Sequence, residues 1–269
     1  MATEAITRVN WTRPQTLAAL HVYLQIPFGQ LHQRNPKIKQ LAQWIDRTPG
    51  SIALKLVNLA SLDSVIVASG RSGMGNASAL DRKIWDELQA NWDAVALDAA
   101  AEYQFLALCH GVQADQALLN DVPLMEEFLP LEEGRTRSAT VQVRVNQALF
   151  RKAVLTSYNA TCCISGLEHE KLVIASHIVP WSEDTRNRLN PQNGLCLSAL
   201  HDRAYDQGLI TVMPDFTVRV SPKIKASNGD SFITESLLRF HEQPIRLPDR
   251  LGPKPAFLEW HARRFGFMG

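Results

Sequence analysis

The chain has 269 residues, of which 45% are hydrophobic and 20% are charged. This length and composition fit one large or two ordinary globular domains. They exclude disordered, collagen-like and disulfide-scaffold proteins, because each of these classes needs a compositional bias that the chain lacks. The 28 Lys and Arg residues nearly balance the 27 Asp and Glu residues, so the formal net charge of +1 argues by itself against a nucleic-acid partner.

The small net charge hides a segregation of charge along the chain. Residues 1–85 hold 10 Lys and Arg against 4 Asp and Glu, residues 86–134 hold 0 against 11, and residues 135–269 hold 18 against 12. The three segments therefore carry net charges of +6, −11 and +6. Because screening at physiological salt acts over about 8 Å, a polyanion would respond to each block more than to the total. A solvated helix face is the alternative explanation of the acidic block.

The sequence contains no recognisable membrane span or secretory signal. No segment reaches about 18 uninterrupted apolar residues, and residues 1–8 lack an apolar core. We therefore expect a cytoplasmic protein that does not enter a membrane. The cysteines form no CxxC pair, so free thiols are expected rather than disulfides or a structural zinc site. They are Cys109, Cys162, Cys163 and Cys196.

The first part of the chain predicts helices. Asn35-Pro36 and Thr48-Pro49 each combine a capping residue with a proline, which is typical of a helix start. Apolar residues follow at helical spacing, and the short connection Asp46-Arg47-Thr48 resembles the turn of a helix-turn-helix motif, whose second helix can lie in the major groove of DNA. An ordinary helical hairpin is the alternative. The residues predicted to face DNA are Arg47, Ser51, Lys55 and Asn58.

A Gly- and Ser-rich stretch at 69–76 follows the β-branched run Val65-Ile66-Val67. Together they predict the wing of a winged helix, with Arg71 on the phosphate backbone, although a flexible loop fits the same residues. Between Ser78 and Leu108, apolar residues at helical spacing predict one or two helices that carry the acidic block. We expect these helices to connect two domains and, through their acidic residues, to keep the basic domains from binding DNA through the wrong face. The acidic residues in question are Asp93, Asp98 and Glu102.

The domain boundary is predicted between Pro123 and Ala139, where prolines, glutamates and a glycine interrupt the apolar pattern. Downstream, short strand-like runs alternate with turns and a few helices. We therefore predict an α+β protein, with a mainly helical, winged helix-turn-helix domain over 1–130 and a second domain over 131–269.

The second domain contains a predicted strand, loop, strand and helix with polar residues at the edges of these elements. Lys171–Ala175 is typical of a strand, and it delivers His177 at its end. A second strand is expected over Asn193–Leu197. Ser198 is placed to cap a helix that ends at Gly208. The edge residues are His177, Asn193 and His201.

This order of His, Asn and His resembles the HNH family of nucleases, and the resemblance extends over about residues 140–265. The segments that carry it are Phe150-Arg151, 176–181 (Ser-His-Ile-Val-Pro-Trp), 193–195 (Asn-Gly-Leu) and 201–208 (His-Asp-Arg-Ala-Tyr-Asp-Gln-Gly). Restriction-type HNH proteins have similar segments. A hairpin signal at 209–220 and a closing helix at 248–265 fit the same subset. The resemblance implies a ββα-metal fold, one divalent ion and endonuclease activity.

Hydrolysis of a phosphodiester needs a base that activates water and a cation that neutralises the phosphoryl oxygens. The resemblance implies that the base is His177, and that the residue before it and a helix residue bind the metal. The preceding residue is Ser176, where many relatives have Asp or His. On the helix His201 and Asp202 both remain candidates, since carboxylate oxygen favours Mg²⁺ and imidazole favours softer ions. Asn193 is expected to brace the loop that holds His177.

The expected cofactor is therefore Mg²⁺ or Mn²⁺, and the expected partner is double-stranded DNA. Basic residues of the second domain, including Arg144 and Arg151, would contact its phosphates. A homodimer is expected, because one module cuts one strand at a time. The resemblance implies a defence role in restricting foreign or modified DNA. Two alternatives are a DNA-binding regulator with an inactive nuclease core, which Ser176 favours, and an effector nuclease that a second messenger activates through the N-terminal domain.

Overall fold

The computed structural model describes residues 10–70, 76–112, 137–224 and 230–269, with side chains from residue 145 onward in the third range. Helices dominate the described part of the chain, and two small antiparallel sheets lie in its C-terminal half. The helices are α1 (Arg13–Gln25), α2 (Pro36–Trp44), α3 (Pro49–Ala60), α4 (Ser64–Ala68), α5 (Ala79–Ala90), α6 (Trp92–Cys109), α7 (Arg137–Ser157), α8 (Ala199–Asp206), α9 (Ser231–Ser236) and α10 (Pro255–Arg264). The strands are β1 (Val173–His177), β2 (Gly194–Ser198), β3 (Ile210–Val212) and β4 (Val218–Val220).

Helices α1–α6 form the N-terminal helical region, residues 10–112 as described. The predicted starts of α2 and α3 are confirmed, since the side chains of Asn35 and Thr48 accept hydrogen bonds from Lys37 N and Ser51 N. Helix α1 lies at the centre of the region and is buried continuously from Thr16 to Gln25. A helix that is buried on all sides needs neighbours around it, and α2, α3, α5 and α6 supply them.

The β-branched run Val65-Ile66-Val67 is helical rather than extended. It lies in α4, where the Asp63 side chain caps the first turn and Ile66 is fully buried. The prediction that this run leads into a wing is therefore wrong, because capping and burial outweigh the weak strand propensity of β-branched residues. Residues 71–75, and with them Arg71, lie outside the described residues.

The polar stripe of α3 points into the protein. Lys55 is 4% exposed and its Nζ lies 2.6 Å from Oδ1 of Asp81 in α5, while Asn58 is 9% exposed. The Trp11 ring covers the Lys55 ammonium. The prediction that Lys55 and Asn58 face DNA is therefore wrong, since a lysine that finds a buried carboxylate can be enclosed with it.

The two remaining residues of that predicted surface also have intramolecular roles. The Arg47 guanidinium donates to Gln15 Oε1 and to Asn10 O, and it stacks on Trp11. Ser51 is half-buried, and its backbone amide binds the Thr48 cap. These contacts are those of an ordinary helical hairpin between α2 and α3.

The C-terminal region, residues 137–269, contains the predicted strand, loop, strand and helix. Strands β1 and β2 pair antiparallel from Val173↔Ser198 to His177↔Gly194. Strand β1 starts two residues later than predicted and includes His177, because its pairing with β2 extends to Gly194. A side chain at Gly194 would overlap Val154 and Phe150, so glycine allows α7 to pack closely on the sheet.

The elements that follow β2 agree with the sequence pattern. Ser198 caps α8, which is followed by Gly208 at φ +61°, the left-handed conformation that ends many helices. The predicted hairpin is present as β3 and β4, and α10 lies within the predicted closing helix. The core of this region is built from both sheets and the helices packed on them.

The N-terminal helical region and the C-terminal region share a buried polar interface. Arg250 is fully buried, stacks on Tyr23 and donates to the Tyr23 carbonyl and to Thr156 Oγ1. Leu251 N donates to Asp63 Oδ2 at 2.8 Å. The predicted boundary at residue 130 falls outside the described residues and stays a prediction. In the part of the chain that the structure describes, no helix has the length and hydrophobicity to cross a bilayer.

Candidate active site

His177 ends β1 and packs against α7. Its ring stacks on Phe150, with centroids 3.6 Å apart and planes 13° from parallel. Burial lowers the pKa of His177 to about 4, against the opposing effect of the Arg188 carbonyl. The imidazole is therefore neutral at neutral pH, which is the form that a general base requires.

One ring nitrogen of His177 has two neighbours that demand opposite protonation. Nε2 lies 2.9 Å from the Arg188 carbonyl oxygen and 3.0 Å from the indole Nε1 of Trp181. If Nε2 carries the proton, it donates to Arg188 O and Nδ1 keeps its lone pair. If Nε2 accepts from the Trp181 N–H, the proton is on Nδ1 instead.

Ser176 points to the opposite face of β1, because successive side chains of a strand alternate. It is 3% exposed, and its hydroxyl oxygen makes no hydrogen bond of good geometry. Ser176 lies beside Asp202 of α8. Burial raises the pKa of the Asp202 carboxyl, while the Ser176 hydroxyl and the Arg203 charge oppose this rise. The structure thus brings Ser176 and Asp202 together, as two of the three predicted metal-binding residues.

Asp206 lies one turn after Asp202 on the same face of α8. The residue is exposed, yet partial burial of its carboxyl and the neighbouring negative charge of Asp202 raise its pKa to about 6. A cation between the two carboxyls would relieve the repulsion that raises the pKa of Asp206.

The oxygen set fits a hard divalent ion better than a soft one. Within the described ranges, no group of three or more His, Cys, Asp or Glu side chains is arranged to hold a metal. Mg²⁺ is usually held by one or two carboxylates together with waters and substrate phosphates, so Asp202, Asp206 and the Ser176 hydroxyl are its candidate protein ligands. These residues would hold the ion that the resemblance implies.

His201 is the third predicted metal ligand, and the structure places it elsewhere. Its Nδ1 lies 2.9 Å from Ser198 Oγ and its Nε2 lies 2.8 Å from Ser236 O. The ring is 3% exposed, with the Cys162 thiol and the edge of Phe240 beside it. Both nitrogens are thus engaged within the protein, whereas Asp202 faces Ser176.

Asn193 ties together the two ends of the loop between β1 and β2. Its Oδ1 accepts from Val179 N at 2.8 Å, and its Nδ2 donates to Val179 O and Asn187 O at 3.0 and 3.3 Å. The side chain is 1% exposed. This is the bracing role that the sequence suggested.

Arg151, one of the predicted phosphate-binding arginines, makes hydrogen bonds within the protein. Arg151 donates to the carbonyls of Val173 and Glu170, which joins α7 to the start of β1. The Arg144 side chain lies outside the described residues.

Sequence reasoning missed three residues around His177. Trp181 and Arg188 contact each other, since Arg188 Nε donates to Trp181 O and its guanidinium lies 5.3 Å from the indole centroid. Asp93 of α6 accepts a hydrogen bond from Leu189 N at 2.8 Å. Trp181 lies in the segment 176–181, whose resemblance to HNH nucleases is a local signal for it. No local signal connects Asp93 with a loop 96 residues away.

The comparison with known families agrees with this geometry. The family model described as HNH endonuclease matches residues 162–213, the segment that contains β1, β2, α8, β3 and the loop between β1 and β2. No curated protein matches the chain. Residues 162–213 carry the paired strands, the strand-end histidine and the following helix that the sequence led us to expect. Residues 162–213 thus form an HNH endonuclease domain.

Proposed function

We propose that the protein is a metal-dependent DNA endonuclease with His177 as the general base. One observation carries the proposal: a buried Ser176 hydroxyl lies beside the carboxyl of Asp202, and the next residue in the strand is a neutral imidazole. The proposal assigns the cation ligands and the proton acceptor to this strand end, because phosphodiester hydrolysis needs both.

The protein residues supply the positioning and the proton transfer. Phe150 fixes the plane of the His177 ring, and Asn193 holds the loop that provides the Arg188 carbonyl. With Nε2–H donated to that carbonyl, Nδ1 accepts a proton from the attacking water. A divalent ion held by Asp202, Asp206 and Ser176 would neutralise charge on the phosphoryl oxygens and assist the departing oxygen.

We extend the proposal to Mg²⁺ or Mn²⁺ as the ion, duplex DNA as the substrate and restriction of foreign or modified DNA as the role. The resemblance to restriction-type HNH proteins supports these assignments. A homodimer follows from the need to cut two strands with one module per chain.

A second candidate function concerns the N-terminal helical region. Lys55 and Asn58 are buried, so α3 does not offer the polar stripe that a major-groove reader needs. That observation favours an effector nuclease in which this region senses a small molecule. A mobility shift of the full chain with plain duplex DNA separates the two when the exposed basic residues Arg34 and Lys39 are replaced by Met: a DNA-reading region would lose affinity, whereas a sensor would keep it.

The test is relaxation of supercoiled plasmid by the full chain. With Mg²⁺ or Mn²⁺ we expect nicking that a chelator abolishes, and a loss of about 10²-fold or more in rate for His177→Ala. The matched control is His169→Ala, an exposed histidine of the same domain, which should keep the wild-type rate. Equal nicking by wild type and His177→Ala contradicts the proposal, as does absence of nicking with either ion on methylated and unmethylated plasmids.

A further inference from the structure

The loop between β1 and β2 is held from outside the nuclease domain by Asp93. This residue lies in the first turn of α6, directly after Trp92, which is 1% exposed and anchors the helix. Asp93 Oδ1 accepts a hydrogen bond from Leu189 N at 2.8 Å. The contact therefore joins the N-terminal helical region to the loop that closes over His177.

The same peptide bond contacts His177 on its other side. The N–H of Leu189 and the carbonyl of Arg188 belong to one peptide unit, which is planar and directs the two groups in opposite directions. The N–H points to Asp93 and the carbonyl oxygen lies 2.9 Å from His177 Nε2. A single rigid amide thus connects the carboxylate with the imidazole.

A carboxylate at one end of this chain polarises the amide. Hydrogen bonds in series strengthen one another, and a charged acceptor on the N–H makes the carbonyl oxygen of the same peptide a better acceptor. Burial raises the pKa of Asp93, while the Leu189 amide and the Arg188 charge favour its carboxylate form and the Asp184 charge opposes it. The Arg188 carbonyl oxygen therefore accepts a hydrogen bond from a protonated His177 Nε2 more strongly.

Trp181 favours the opposite tautomer of His177. Its indole N–H lies 3.0 Å from the same Nε2 and can bond only when Nε2 is unprotonated. The two neighbours therefore favour opposite tautomers, and only the tautomer with the proton on Nε2 leaves Nδ1 free to accept a proton from water. The balance between the two tautomers decides whether His177 can act as a base at Nδ1.

We propose that Asp93 is a positioning residue for His177, which acts through the Arg188–Leu189 peptide bond to hold the proton on Nε2. The inference rests on the proposed function for its catalytic meaning, but the tautomer itself is a property of the folded protein. It also makes the activity of the nuclease domain depend on how the N-terminal helical region is docked.

The first test is spectroscopic and needs no activity. In ¹⁵N-histidine-labelled full-length protein, long-range ¹H–¹⁵N correlation distinguishes a protonated ring nitrogen from an unprotonated one, and the His177 signal is assigned by its loss in His177→Gln. We expect a proton on Nε2 in the wild type, a shift towards Nδ1–H in Asp93→Ala, and return of the wild-type pattern in Asp93→Ala/Trp181→Phe. Asp93→Asn, which keeps an acceptor oxygen but loses the charge, should shift the proton towards Nδ1 less than Asp93→Ala does.

The second test is kinetic. Asp93→Ala should lower kcat by about 10-fold or more with unchanged KM for plasmid, while Asp93→Asn stays within about 3-fold of the wild type, because correct placement of the base contributes to kcat. The matched control is Asp98→Ala, an exposed acid on the same helix, which should change neither the tautomer nor kcat.

The two tests separate the possible failures. Wild-type protein with the proton on Nδ1, or an unchanged His177 signal in folded Asp93→Ala, overturns the inference whatever the nuclease activity. An equal loss of kcat in Asp93→Ala and Asp98→Ala also overturns it. If Asp93→Ala does not fold, Asp93→Asn decides: a partial shift of the proton towards Nδ1 supports the inference, and an unchanged His177 signal overturns it. If the tautomers are as predicted but the wild type does not nick plasmid, the inference is supported and only the proposed function is contradicted.

Discussion

Ser176 and His177 are adjacent in β1 but contact opposite sides of that strand. Ser176 faces the Asp202 carboxyl of α8, and His177 stacks on Phe150 of α7. Because strand side chains alternate, one step along the backbone leads from an acidic, oxygen-lined environment to an aromatic one. The proposed cation ligand and the proposed base are thus neighbours in sequence at the end of β1, with their side chains in different environments.

The substitution Ser176→Asp tests the ligand set. It adds a carboxylate next to Asp202 and Asp206, so in metal-free protein we expect Tm to fall by about 5 °C through repulsion and desolvation. Mn²⁺ should then stabilise the variant more than the wild type. Differential scanning calorimetry with and without Mn²⁺ measures both effects.

Two further variants make the ligand test decisive. Asp202→Asn should remove the stabilisation by Mn²⁺, and the control Ser182→Asp, at an exposed position of the nearby loop, should behave as the wild type. A Mn²⁺-dependent shift that is the same in all of these proteins would contradict the assignment of the ion to this face of β1.

Substitution of His201 should impair folding stability rather than metal binding. His201→Ala removes the imidazole that bonds the Ser236 carbonyl and the Ser198 hydroxyl and leaves a cavity beside them, which costs about 2–4 kcal/mol. We expect a clear fall in the urea midpoint and a retained Mn²⁺-dependent rise in Tm. A normal urea midpoint with no response to Mn²⁺ would instead identify His201 as a ligand.

The buried pair of Lys55 and Asp81 should matter for stability and not for DNA affinity. Burial lowers the pKa of Lys55, and the Asp81 carboxylate offsets the cost of burying the ammonium charge. Lys55→Met leaves Asp81 uncompensated and should cost about 3–5 kcal/mol in urea unfolding, while Lys55→Met/Asp81→Leu should recover most of that loss.

DNA binding by the same variants checks the correction to the predicted DNA surface. The slope of DNA affinity against salt concentration should be the same for the folded double variant and the wild type, since a buried lysine contacts no phosphate. Lys39→Met, at an exposed position in α2, is the matched control for loss of a surface lysine. A smaller slope in the Lys55 variants alone would restore α3 as a DNA contact.

His21 makes the stability of the N-terminal helical region depend on pH. The ring is 5% exposed, stacks on Tyr103, and has its pKa lowered to about 3 by burial and by the Lys37 charge. The folded pKa lies below the unfolded value of about 6.5, so its stabilising contribution is complete above pH 6.5 and is lost progressively as the pH falls towards 3. At pH 5 the loss is about 2 kcal/mol.

Calorimetry at two pH values tests the His21 contribution. His21→Gln should reduce the drop in Tm between pH 7 and pH 5 by about 4 °C relative to the wild type. His32→Gln, at an exposed position of the same region, should leave the drop unchanged. An undiminished drop in His21→Gln would show that this ring is not protonated on unfolding.

The sequence by itself determined the features that depend on neighbouring residues. The caps at Asn35, Thr48 and Ser198 begin helices, and Gly208 follows the end of α8, because capping and the left-handed turn involve only residues within a few positions. The order His177, Asn193 and then a capped helix identified the nuclease domain, since strand, loop and helix follow one another along the chain.

Only the tertiary structure decided which side chains meet across the chain. In the structure Lys55 is enclosed with Asp81, the run at Val65 is a short helix in which Ile66 is buried, and Asp202 rather than His201 faces Ser176. The structure also joins Asp93 to the loop at Leu189, although these residues are 96 positions apart. The sequence gives the polarity of each residue, and helical spacing gives its position around the helix. Burial and pairing depend on the element packed against that face of the helix, which periodicity does not reveal.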